Sequence, residues 1–261
     1  MTSVALAILF GAVIGSLLGL VGGGGGILAV PALVYGLGLT LSDAVPGSLI
    51  VIGLASLVAV LPRARSEVNW RLATVIGAAG IPTSLLGGLA HHHLDDRWLM
   101  IAFAAIMVAA GARMLRSNTE SGGVCELPGG GVAWRRCLPR AVLTGVAVGF
   151  LTGLLGVGGG FLLVPALVMA LGLRTTTAVA TSLVIIVINS IAGLIPYLAS
   201  GGLHLQWAAI GPFAAAAIVL SLPAGRLARQ FSPRLLRRGF AVLVLLVATA
   251  VAIQSALALL S

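Results

Sequence analysis

A chain of 261 residues, 59% hydrophobic and only 8% charged, has too little polar surface to remain a soluble globule. Its net charge of +9 comes from 15 basic residues, every one an arginine, against 6 acids. The arginines flank apolar runs and do not cluster beside aromatics on a polar face, which excludes a nucleic-acid reader and leaves lipid headgroups as their partners.

The chain opens on Met1-Thr2-Ser3 with no basic stretch before its apolar run, so residues 4–20 read as a retained span and not a signal peptide. Five consecutive glycines follow, Gly22 to Gly26. Each costs a helix roughly 1 kcal/mol relative to alanine, so the helix should break here, at membrane depth. Residues 27–38 form a piece of about 18 Å if helical, too short to cross alone. Thr40-Leu41-Ser42-Asp43 is a helix N-cap signature and opens an apolar helix that should run to about Leu61 and stop at Pro62. Arg63, Arg65, Glu67 and Arg71 are expected in a loop. A third helix should cover Trp70 to about Ala90, passing Pro82, and a fourth about Trp98 to Met114.

Between these last two lie His91, His92 and His93. Adjacent histidines at a helix end point in different directions and cannot close a metal site alone, so a solvated outer loop is expected. Residues 116–139 form an Arg/Gly-rich linker holding Cys125 and Cys137, which read as incidental thiols with no disulfide framework. Trp70, Trp98, Trp134 and Trp207 fall at span ends, where interfacial anchoring is their ordinary role.

After the linker the pattern starts again. A shift of 134 places superposes Pro31 on Pro165, Ser48 on Ser182 and Pro62 on Pro196. A shift of 137 then aligns Trp70 with Trp207, Gly88 with Gly225 and Phe103 with Phe240. The chain is a tandem duplication: a first membrane repeat over 1–115, a cytoplasmic linker over 116–139 and a second repeat over 140–261. Charge orients the halves. Plain alternation of eight spans splits the arginines eight to seven, which is no bias; a hairpin at the second glycine break puts fourteen on one face and leaves only Arg97 on the other. The expected fold is therefore all-α and integral to the membrane. It comprises two inverted repeats of about four helices each, with a Gly-interrupted helical hairpin at the start of each half.

The breaks are the candidate site. Helices restarting after Gly26 and after Gly160 present N–H groups and the positive dipole end to an anion, without a buried charged side chain. The substrate-binding set is Gly23, Gly24, Gly25 and Gly26 from the first break, Gly158, Gly159 and Gly160 from the second, and Ser48, Thr181, Ser182 and Asn189 from the helices that follow. Ser56 and Ser190 form a further equivalent pair. Each hydroxyl has a competing use, bonding its own helix backbone, and the glycines have one in close helix packing. No nucleophile with a base at workable spacing is visible, so an enzyme is not expected. Neither is a cofactor or a bound metal.

The runs GLVGGGGGILAVP (19–31) and GLLGVGGGFLLVPAL (153–167), each followed by a helix containing GSL or TSL, resemble the TauE/SafE family of sulfite exporters. The resemblance covers nearly the whole chain. It implies a multi-pass permease for a small sulfur-containing or organic anion, such as sulfite or sulfoacetate, in a bacterial inner membrane. The first copy departs in having five glycines where the second reads Gly-Val-Gly-Gly-Gly, and Pro46-Gly47 where the second has Ala180-Thr181. Its partners would be the anion and the bilayer, with no nucleic acid; a homodimer is left open. The alternatives are a membrane-embedded binding or assembly factor without transport, and an importer of a related anion.

Overall fold

A computed structural model describes residues 2–91, 134–155, 160–199 and 206–228, together with scattered positions between 105 and 115 and between 230 and 249. Among the described residues the chain is helical, with no strand. In order come α1 (Thr2–Val21), α2 (Gly26–Pro31), α3 (Leu41–Val60), α4 (Trp70–His91), α5 (Trp134–Leu155), α6 (Gly160–Ala170), α7 (Thr175–Ala199) and α8 (Trp207–Ala228). Stretches in four of these are long and apolar enough to cross a membrane: Val4–Val21, Asp43–Arg63, Thr175–Ile195 and Trp207–Ala228.

These helices are apolar all round, so polarity does not choose which face turns inward. Size does. On α1 the buried positions Ala7, Gly11, Ile14, Gly15, Leu18 and Gly19 recur every three or four residues, while Leu6, Ile8, Leu9 and Val13 face outward. A methyl group at Gly11, Gly15 or Gly19 would strike the backbone of Phe213, Ala217 or Ser221 on α8. Small residues a turn apart thus bring α1 and α8 into backbone contact, the means by which helices associate where lipid removes the hydrophobic drive. The same device recurs between α5 and α4, where Gly145 meets Ile76 and Gly149 meets Gly80.

The paired positions also give direction. Gly11, Gly15 and Gly19 ascend with 213, 217 and 221, so α1 and α8 are parallel; Gly47 against Ile210 and Gly225 against Ala59 make α3 parallel to α8. Gly145 and Gly149 ascend with Ile76 and Gly80, and Asn69 and Gly77 meet Thr181 and Ile188, so α4, α5 and α7 form a second parallel set. Gly53 lies against Ser190 but Gly193 against Leu49, so α3 and α7 are antiparallel and the two sets oppose each other. Consequently Arg63, Arg65, Arg71, Arg135, Arg140, Arg174 and Arg226 all fall at one end of the bundle. There the Arg71 guanidinium stands 5.8 Å from the centre of the Trp134 ring. An impermeant thiol reagent should therefore label Arg65→Cys and Arg226→Cys from one side of the membrane and Gln206→Cys from the other. Labelling of all three from one side would refute this arrangement of directions.

Several local expectations need correcting. Helix α3 starts at Leu41, two residues before Asp43: Thr40 is extended (φ −69°, ψ 154°) and its hydroxyl donates to Asp43 Oδ2 at 3.1 Å. The acid reinforces the first turn from within. Cys137 is not a loop thiol. It lies in α5, which begins at Trp134 inside the stretch read as linker, and it is fully buried and disulfide-bonded. Cys125, most of the linker, Trp98, and His92 and His93 lie outside the described residues; His91 ends α4, and no cluster of metal ligands occurs among the described residues. Trp70, Trp134 and Trp207 each open a helix, with the first and last more than half exposed, as interfacial anchors should be.

Candidate functional site

Helix α1 ends at Val21, and the chain turns at Gly22, whose φ of 79° and ψ of −126° are open only to glycine. Its N–H still donates to Leu18 O at 2.9 Å. Gly23–Gly25 form a single 3-10 turn, Gly26 donates to Gly23 O, and α2 then runs back beside α1: Gly25 packs against Ile14 and Leu18, and Gly36 against Phe10. Pro31 lacks an N–H for the helical ladder, and the turn that follows, Ala32–Gly36, widens to π geometry.

The tip of this turn meets the second half of the chain. A methyl group at Gly23 would coincide with the Gly160 carbonyl, and one at Gly160 would lie 3.3 Å from Gly23 Cα and 2.8 Å from Ile186 Cδ1. One at Gly22 would stand 3.0 Å from Ser182 Oγ. Residues a full repeat apart in the chain are therefore in backbone contact. Gly158 and Gly159 lie outside the described residues. Gly160 opens α6, whose first turn carries N–H groups that its own helix cannot satisfy.

The candidate polar side chains sort by what their protons do. Ser48 donates to Val45 O at 2.7 Å and Ser182 to Val179 O at 2.8 Å, so both hydroxyl protons are held by the preceding turn. Thr181, fully buried, accepts the Asn69 N–H at 3.2 Å. Ser56, also fully buried, has no partner for Oγ, and Asn189 has none for Oδ1. Ser182, Ile186, Asn189 and Gly193 share one face of α7, which puts Asn189 between the contacts to the glycine turn and those to α3. The structure thus brings Gly22, Gly23, Gly160, Ser182 and the Asn189 face together. It leaves Ser48 about two turns into α3, bonded to its own helix.

The sequence reading missed Arg63. Expected in a loop, it is 3% exposed at the end of α3, and its Nη2 donates to Gly19 O at 3.0 Å and Gly225 O at 2.9 Å. Its Nε stands 3.8 Å from Glu67 Oε2. The one sequence signal is a cation directly after the terminating Pro62, with an acid four residues on.

Long apolar helices, arginines at one end and a backbone break packed inside the bundle define a polytopic membrane protein of the kind that moves solutes. The chain belongs to the sulfite exporter TauE/SafE family, whose match runs over residues 7–251. A probable membrane transporter protein of Xylella fastidiosa (strain Temecula1 / ATCC 700964) is 33% identical over 178 residues, 66% of this chain and 66% of that protein's own length. The probable membrane transporter protein MJ0441 of Methanocaldococcus jannaschii is 32% identical over 201 residues, 74% of this chain and 72% of the relative. YunE of Bacillus subtilis, likewise called a probable membrane transporter protein, is 29% identical over 225 residues, 78% and 81% of the two chains. No solved structure matches. The family is one of membrane transporters and not of enzymes.

Proposed function

We propose that this protein exports a small sulfur-containing or organic anion, such as sulfite or sulfoacetate, across a bacterial inner membrane. The anion binds between the two glycine breaks of an inverted repeat. The observation that carries the reading is the contact of Gly23 with Gly160, which makes one locus of the two breaks.

Inversion is supported by the helix directions. Under the internal alignment α1 corresponds to α5, α3 to α7 and α4 to α8, and each runs opposite to its counterpart. The packing pairs correspond as well: Gly11 on Phe213 and Gly15 on Ala217 map onto Gly145 on Ile76 and Gly149 on Gly80. The arginine-bearing end, with residues 116–139, is then cytoplasmic by the positive-inside rule. At the site, N–H groups of the glycine turns and the first turn of α6 face the anion, aided by the dipole of that helix. Ser56 Oγ–H and the Asn189 amide are the side-chain donors still open, the amide presenting its NH2 after rotation about χ2. Thr181 retains a proton to give, whereas Ser48 and Ser182 would first have to leave their backbone acceptors.

The test is transport in proteoliposomes. No Asp, Glu or Lys lies in the interior of a described span, so no side chain there offers the usual proton relay. A monovalent anion should then leave on membrane potential alone, driven by about 2.3 kcal/mol per 100 mV, a concentration ratio of roughly fifty. With labelled sulfite inside, equal pH on both sides and a valinomycin-set potassium potential, efflux should rise as the interior becomes more negative. Efflux that ignores potential and follows an imposed pH gradient would refute this drive and indicate proton coupling.

A further inference from the structure

Arg63 joins three helices at a point where each needs a cation. Gly19 O and Gly225 O belong to the last turns of α1 and α8, where carbonyls have no partner within the helix and the dipoles turn negative. The guanidinium reaches both through one nitrogen because Gly19 and Gly225 let the two helices approach there: a methyl group at Gly19 would lie 2.8 Å from Gly225 N. Arg63 is carried by the short turn Leu61–Arg63 that ends α3, and Glu67 flanks it from the following loop. Gly19 is only three residues from Gly22, where the chain breaks toward Ser182. A buried charge is costly to leave alone, so this linkage has a made state and a broken one with little between.

We propose that Arg63 is the latch on the arginine-bearing side of the transport site: its bonds to Gly19 O and Gly225 O close the path between that end and the glycine break. Their release opens the path. Arg63 is a positioning residue, acting on the break through the end of α1. An anion that has passed the exposed arginines of that end can compete with the two carbonyls for this buried cation. The inference rests on reading the breaks as the transport site, and its test is chosen to need no transport.

The measurement is the labelling rate of Ser182→Cys by an impermeant maleimide, in a Cys125→Ser, Cys137→Ser background. Right-side-out and inverted vesicles expose either face. With Arg63 intact, labelling should be slow from both sides. Losing two charge-assisted hydrogen bonds to a closed state should raise labelling from the arginine-bearing side about tenfold in Arg63→Ala and Arg63→Gln, with no rise from the other side. Arg63→Lys, keeping the charge but not the fork, should fall between. Should Arg63→Ala fail to elute as the parent does in detergent, Arg63→Lys and Arg63→Gln decide. Unchanged labelling in a folded variant overturns the latch, and so does equal acceleration from both sides, which marks general loosening. Sidedness that shifts in a protein whose parent carries no anion in proteoliposomes supports the latch and removes the transport reading.

Discussion

Gly23→Ala is expected to abolish transport while the protein still reaches the membrane. The added methyl group coincides with the Gly160 carbonyl, a backbone atom that no rotamer change can move aside. The two breaks must separate by an atomic radius or more, and donors displaced by about 1 Å lose the geometry on which an anion site depends. A fall of about a hundredfold in sulfite efflux is the expected size. Gly211→Ala is the control, since a methyl group there meets nothing within 4 Å. Should Gly23→Ala transport at the parent rate with Gly211→Ala, the breaks do not form one locus in the working protein and the proposed site falls.

The second large effect is on stability. Gly15 sits midway along the α1–α8 contact, where a methyl group would overlap the Ala217 carbonyl and lie 2.6 Å from its Cα. Gly15→Leu must push the helices apart along the whole stripe. In lipid that stripe associates by close packing and backbone approach, with no hydrophobic gain to fall back on. Overpacking ordinarily costs about 1–3 kcal/mol, and a clash against backbone belongs at or beyond the upper end. Thermal unfolding followed by size-exclusion in detergent should show a lower transition than Gly211→Leu, or no monodisperse protein. If the two variants melt within about 2 °C of each other, α1 does not pack on α8 through its glycines.

Loss of transport at Gly23 in a protein that still reaches the membrane, and failure to pack at Gly15, would separate the two uses of glycine in this chain. At 11, 15 and 19 the spacing is one turn and the contact is helix on helix. At 22–25 the glycines are consecutive and the helix ends. The spacing alone distinguishes them, because a helix face repeats every three to four residues and a turn does not.

Composition and pattern alone determined the class of protein and its family. These are properties of runs and periods: 59% hydrophobic residues, five glycines together, and a copy 134 places on. The helix starts at Trp70 and Trp207 were legible too, whereas the one at Trp134 fell inside the expected linker. Which face of each helix turns inward was not legible, because these helices are apolar on every side; contact decides it, through the methyl groups that Gly11 and Gly145 lack. Nor were the fates of hydroxyl protons, where Ser48 and Ser182 satisfy their own helices and Ser56 does not. Arg63 is the clearest case. In sequence it is one more arginine after a proline, counted with Arg65 and Arg71 as a charge that orients the chain. It becomes a buried three-helix linkage only because Gly19 and Gly225, 206 positions apart in the chain, bring two helix ends within reach of a single nitrogen. A carbonyl left without a partner at a helix end draws a donor from whatever lies nearby, and what lies nearby is set by tertiary packing.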